Sequence, residues 1–272
     1  MRVATRLSSL LVACTELQGP SGLILERDPG LERARSGVRV ESQSTVDGRG
    51  LVATRALGIG ELVSLYPMHA LRAAHDDDDR DRDRGGDRLP LDTDVWYATE
   101  EERAWFLANE VEARRFRAAG AGGAVTIDVC PLRPLNPLFA AHFVNDAAAL
   151  DETCSFAEAA LAYTRSSVLG ANAAIVDFGP APVLAYVTTR PVDAGAEILT
   201  TYGAEYWLEQ RGASLDALDF SKVAHSLAYS ERKAQRTRAA AQLAVRENYA
   251  SSIALVTESL WQSLRTPCRC SL

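Results

Sequence analysis

Two widely separated stretches of the chain carry one pattern: a strand-like run, a glycine-containing turn, and a second strand-like run. Thr54-Arg55-Ala56-Leu57 leads to Gly60-Glu61-Leu62, and Thr189-Arg190-Pro191-Val192 leads to Gly195-Ala196-Glu197-Ile198. Glycine supplies the backbone angles that a tight turn demands, and short apolar runs between such turns read as strands. Upstream, Val38-Arg39-Val40 and Leu51-Val52-Ala53-Thr54 read as strands around the turn Asp47-Gly48-Arg49-Gly50, and Glu61 to Tyr66 reads as another. Two similar hairpins do not make a repeat protein. They do require a β-rich centre.

Such a centre needs apolar residues to bury. The 272-residue chain is 47% hydrophobic and 24% charged, which excludes disorder throughout. There is no run of about 18 uncharged apolar residues, so no conventional membrane span is expected. The net charge of −7 argues against a duplex nucleic-acid binder, which concentrates basic residues on one face, and suits a basic partner. The five cysteines (Cys14, Cys130, Cys154, Cys268 and Cys270) are odd in number and form no CxxC pair. That usage fits a reducing, intracellular compartment, nucleus or cytoplasm. Cys268 and Cys270 fall short of the roughly four ligands that zinc takes, and no metal site is expected.

The ends and one interior tract differ in character. Residues 1–36 begin with Arg2, Arg6 and serines and carry no acid before Glu16. Both a short secretory or organelle-targeting segment and a disordered or early-helical N-terminus fit that composition. Residues 75–88 mix aspartates and arginines and cannot build a core, so they form a solvated loop, with substrate docking as the second reading. Thr99 with Glu102 three residues on starts a helix, with Leu107 and Val111 on one face and Gly120 to Gly123 as its end. Residues 125–129 read as a strand, and Pro131, Pro134 and Pro137 make the following stretch extended. Beyond Trp207, Leu215, Leu218, Val223 and Leu227, and then Ile253, Val256, Leu260, Trp261 and Leu264, fall at helical spacing. Residues 209–272 are therefore a helical C-terminal region, packed on the β-rich centre.

Familiar enzyme constellations are absent: no HExxH helix, no phosphate-cradling Walker loop, no GxSxG elbow. Four segments in a fixed order remain. They are Gly48-Arg49-Gly50; His142-Phe143-Val144-Asn145-Asp146; Ala171-Asn172-Ala173 entering the strand Ala174-Ile175-Val176; and Glu197-Ile198-Leu199-Thr200-Thr201-Tyr202-Gly203, with Tyr206-Trp207 close behind. Each has a plain structural reading, a hairpin turn for the first and a core tyrosine ending a strand for the last. The ordered set is more specific.

This set resembles the SET domain, the protein-lysine methyltransferase family, over about residues 37–207. The glycine turn matches the family's opening hairpin. The stretch around Asn145 looks like its arginine-phenylalanine-x-asparagine-histidine element, Asn172 like its second asparagine, and Thr200 to Gly203 like its closing tyrosine-x-tyrosine-glycine. His142 stands where arginine is usual, Asp146 where histidine is, and Thr200 where the first tyrosine is. Residues near 149–169 read as an insertion between the two asparagines.

The resemblance implies an α+β fold of small sheets with a knot-like threading near residue 200, over residues 37–208. It also implies S-adenosylmethionine as cofactor and a lysine of a protein or peptide, histone or not, as substrate. Gly48, Arg49, Gly50, His142, Asn145, Asn172 and Tyr202 would then bind the cofactor, with His142 anchoring its carboxylate. Tyr202 would be the catalytic residue, and Tyr66, Tyr206 and Trp207 would wall the substrate channel. The departures at 142, 146 and 200 also fit a second reading, a SET-like protein-binding module with weakened turnover. A third reading, an unrelated β-rich protein, has to attribute the ordered matches to chance.

Overall fold

The computed structural model describes residues 28–42, 48–73, 95–97, 100–109, 118–119, 125–130, 137–151, 155–179, 183–209, 211 and 224–265. The basic N-terminal stretch, the 75–88 tract, Gly120 to Gly123, and Cys268 with Cys270 lie outside them. Along the chain run α1 (Pro29–Gly37), β1 (Val38–Glu41), β2 (Gly50–Ala53), β3 (Leu62–Leu65), β4 (Ala70–Ala73) and β5 (Val95–Tyr97). Next come α2 (Glu100–Ala108), β6 (Ala118–Ala119), β7 (Val125–Asp128), two 3-10 turns (Pro137–Phe139, Ala141–Phe143) and β8 (Asn145–Asp146). α3 (Phe156–Gly170), β9 (Ala173–Asp177), β10 (Leu184–Thr188), β11 (Leu199–Thr200), α4 (Ala204–Glu209), α5 (Ala224–Asn248) and α6 (Ala250–Arg265) follow. The fold is α+β, with small, mostly antiparallel sheets and no barrel among the described residues. No helix among the described residues is long and apolar enough to cross a membrane.

The sheets are β1-β2, β3-β10-β9, β5-β4-β7-β6 and the pair β11-β8, which alone among these runs parallel. The two look-alike stretches pair with each other. Leu57 and Val192 exchange backbone hydrogen bonds of 2.8 and 3.0 Å, and Gly195 N–H donates to Ala53 at 2.8 Å. Gly60 (φ 74°) and Gly195 (φ 84°) take the left-handed conformation at matching places in the two turns. The echo in the sequence is thus a clasp between distant hairpins, and its inner residues Leu57, Val192 and Ile198 are buried.

Three elements depart from the sequence reading. Residues 29–37 form α1: Asp28 caps it by accepting from Leu31 N–H at 3.0 Å, and Pro29 occupies the first turn. Leu31 and Ala34 of this helix are fully buried, so this part of the 1–36 segment belongs to the core. In α2 the buried face is Glu102 and Phe106, while Leu107 is 64% exposed. Phe106 packs edge-on against Trp105 and tilted against Tyr97, which holds that face inward. The stretch read as an insertion carries a helix, α3, whose Ala159, Ala160 and Tyr163 are buried.

The C-terminal helices are joined to the same core. Val245, Tyr249, Val256 and Leu260 are buried in one cluster with Leu62 and Val187. Tyr249 Oη accepts from Leu62 N–H at 2.8 Å, and the Gln242 amide both donates to and accepts from the Asp177 backbone at 2.8 Å. Ser252 donates to Asp28 at 2.7 Å and so ties α6 to the cap of α1.

The two clasp glycines differ in surroundings. A Cβ at Gly60 would meet the Ala244 Cβ at 2.9 Å, whereas one at Gly195 meets nothing within 4 Å among the described residues. Gly195→Ala therefore loses only the left-handed penalty, about 1 kcal/mol. Gly60→Ala adds the collision with α5 and loses about 3 kcal/mol. Urea denaturation of both variants checks the difference; equal losses contradict it.

Candidate functional site

The parallel pair β8-β11 sets Asn145 beside Leu199 and Asp146 beside Thr200. On the far side of β11, Asn172 N–H donates to the Leu199 carbonyl at 2.9 Å, and the Asn172 side chain accepts from Leu199 N–H at 2.8 Å. The same amide donates to the Glu197 carbonyl at 2.8 Å. Residues 197–200 are thus held between both asparagines. Asn145 in turn donates to the Arg49 carbonyl and to Glu197 Oε1, each at 3.0 Å. Arg49 lays its guanidinium over the Phe143 ring, 4.5 Å from the centroid. All four ordered segments meet here, with Asn172 engaged by backbone at both ends of its amide.

Asp146 fastens the next layer. It is 2% exposed, and among the described residues its carboxylate is met by neutral donors only. Oδ2 accepts from the Tyr163 hydroxyl, from Tyr202 N–H at 3.1 Å and from Trp207 Nε1–H at 2.9 Å. Oδ1 accepts from Ser167 Oγ–H at 2.7 Å and Ala148 N–H at 3.3 Å. One group thereby gathers β8, α3, the 201–203 turn and α4. Tyr163 also accepts from Gly203 N–H at 3.0 Å. Burial beside this carboxylate pushes the Tyr163 phenol well up, so it stays a donor at neutral pH.

Beside this layer opens a cleft of about 260 Å³, lined in part by Tyr66, His142, Tyr186, Tyr202, Tyr206 and Arg238. The Tyr202 hydroxyl donates to the Val144 carbonyl at 2.8 Å, so its oxygen offers only lone pairs to anything else. The ring is 36% exposed at the rim, but its hydroxyl end is enclosed. Burial, with Tyr186, Tyr66 and Tyr206 near it, raises its pKa well above the ordinary phenol value. Tyr206 meets Tyr202 edge-on at 5.0 Å, and Trp207 stacks on Tyr202 at 6.5 Å. Burial likewise raises Tyr186 to about 12, against a hydrogen bond from Thr200 that opposes it.

His142 is 7% exposed, and burial pushes its imidazole down to about 3, with His69 and Arg49 adding to the effect. At neutral pH it is uncharged and cannot act as a cation. Arg49, next to it, carries the charge instead.

Tyr66, Tyr202, Tyr206 and His142 line the cleft. Asn145 and Asn172 hold the neighbouring β8-β11 pair, with the Arg49 carbonyl on Asn145, and neither they nor Gly48, Arg49 and Gly50 are among the described lining residues. Trp207 supports Tyr202 from behind through its bond to Asp146. Tyr186 and Arg238 were not found from sequence. Tyr186 sits in an ordinary apolar strand, whereas Arg238 leaves a trace, a charge within the small-residue stripe Ala234, Ala241, Val245 of a helix. No protein-family model matches the chain, and no curated protein matches it.

Asp146→Asn turns an N–H₂ toward at least one of the donor sets and loses about 3 kcal/mol in urea denaturation. Tyr163→Phe, which removes one donor of five, loses about 1 kcal/mol; equal losses would contradict the shared-acceptor arrangement. His142 predicts an acid-side slope. Below its ordinary value near 6.5 the unfolded chain takes up a proton that the folded imidazole refuses, so stability falls with falling pH until about 3. Between pH 6.5 and 5 the loss is about 2 kcal/mol, and His142→Gln abolishes that part of the slope.

Proposed function

We propose that the chain is a SET-type methyltransferase that transfers a methyl group from S-adenosylmethionine to a lysine amine of a protein. The observation that carries this reading is the meeting of Arg49, Asn145, Asn172 and Tyr202, distant in sequence, beside one tyrosine-walled cleft. The passage of residues 197–200 between β8 and Asn172 supports the family's knot-like threading. Residues 37–208 with the clasped hairpins would be the SET-like unit.

The residues fit the cofactor's chemistry. Its amino-acid end carries both charges, and the β8-β11 side offers a guanidinium in Arg49 and an amide in Asn145. Among the described residues, no atom beyond its chain neighbours lies within 4 Å of where a Cβ of Gly48 would stand. Arg49, not the neutral His142, would hold the carboxylate. When bound, S-adenosylmethionine supplies a methyl on positively charged sulfur, which the lysine nitrogen takes as the carbon–sulfur bond breaks.

The chain's own residues would prepare the amine. Tyr66, Tyr186, Tyr202 and Tyr206 wall the cleft with rings, and an ammonium taken out of water among them loses its proton more readily. Tyr202, its proton committed to Val144, presents lone pairs that would accept the amine hydrogens and so turn the nitrogen lone pair toward the transferred carbon. Its raised pKa makes it a positioning acceptor and no base. Tyr186, close to Thr200, would bring a phenol near the position where the closing motif lacks its first tyrosine.

Incubation of the full chain with methyl-labelled S-adenosylmethionine and a whole-cell extract tests the reading. Labelled protein is expected, and Tyr202→Phe is expected to keep cofactor affinity while lowering the rate about a hundredfold. Arg49→Ala should weaken cofactor binding in calorimetry. Cofactor and peptide binding without any labelled product would instead favour the binding-module reading. No cofactor binding at all would sink the proposal.

A further inference from the structure

Next to the tyrosine cleft lies a second cleft of about 180 Å³, lined by Val168, Ala171, Ala173, Ala174 and Ala234 among others. Ile175, Thr201 and Arg238 line both, so the two clefts meet at these three residues. The walls come from the end of α3, the outer edge of β9, the strand after Asn172 and the helix α5.

Arg238 is out of character where it stands. On α5 Ala234, Arg238, Ala241 and Val245 fall on one stripe at helical spacing, which Tyr249 continues just past the helix end. Ala241, Val245 and Tyr249 are buried, and Arg238 is the one charge on that stripe. It is exposed and makes no ion pair or hydrogen bond among the described residues. Arg232, Lys233 and Arg236 are exposed on the same stretch of α5, against one exposed acid there, Glu231. A chain of net charge −7 thus presents a local positive field at the junction of its two clefts.

The edge of β9 also faces this junction. Asp177 gives both its N–H and its C=O to Gln242, so both point away from β10. By the alternation of an antiparallel ladder, Ile175 turns its peptide groups the same way, into the clefts. An extended peptide can pair there, with small side chains over the alanines.

We infer that Arg238 is a specificity-determining residue, which selects lysine substrates carrying an aspartate or glutamate beside the target lysine. This rests on the methyl-transfer reading for the identity of the target. A guanidinium at the junction meets a carboxylate in a charge-assisted, two-pronged bond, and it repels a second basic residue at the same position.

The test uses the full chain and mixed peptides with one central lysine, in which each flanking position in turn is fixed as Asp, Ala or Arg. Methylation with labelled S-adenosylmethionine is expected to favour Asp over Arg by at least about tenfold at one flanking position. Arg238→Glu reverses that order and Arg238→Gln removes it, with cofactor affinity unchanged in both. The inference is overturned by a wild-type protein indifferent to flanking charge, by a preference that Arg238→Glu leaves unmoved, or by loss of cofactor affinity in Arg238→Glu. Fluorescence anisotropy on the same peptides reads the preference without turnover. Acid-selective binding that depends on Arg238, with no methylation, upholds this inference and sinks the methyl-transfer reading. Methylation without acid selectivity does the reverse.

Discussion

A buried carboxylate that accepts and cannot donate fixes the geometry around it, because every neighbour must aim a hydrogen inward. Asp146 is such a group, and its donors come from a turn, a helix and two aromatic side chains. Taking a charge out of water is costly, and only a full set of donors offsets it. Donors that stray leave that cost uncovered, so the arrangement is stiff. Tyr202 inherits the stiffness at both ends, through its backbone N–H on Asp146 and its hydroxyl on Val144. The rim of the cleft is therefore set by a residue that never touches it.

Much of this was legible in the sequence. The strands around Gly48 and Gly60 and the helical spacing of Val256 and Leu260 follow from local periodicity and turn chemistry, which need no tertiary knowledge. The four ordered segments were readable because polar residues stood where a strand pattern has no use for them. Asp28 followed by Pro29 is a helix-start signal that lies within a segment whose basic, serine-containing beginning points to a different character. Other features had no local signal. Leu107 gave the apolar face expected of α2, but Tyr97 and Trp105 turned Phe106 inward instead. Tyr186 looks like any strand tyrosine until β10 carries it to Thr200. The worth of Asp146 depends on Tyr163, Ser167 and Trp207, none of which lies near it in sequence.

Charge carries a similar lesson about scale. The acidic total suits a basic partner at long range, where fields sum over the whole surface. Close to the clefts the field is that of α5, and α5 is basic there. Encounter and fit can therefore be governed by opposite signs.

The bond from Leu62 N–H to Tyr249 Oη joins residues 187 positions apart, and the parallel β8-β11 pair links segments separated by a helix and two strands. Contacts of such separation form late, because the intervening chain must be ordered before they reward it. On a ribosome, α5 emerges only after everything it closes upon. The nascent polypeptide thus carries its core unsealed until α5 appears, and β8 waits unpaired until β11 is made, a window in which a chaperone has surface to hold and the cleft does not yet exist.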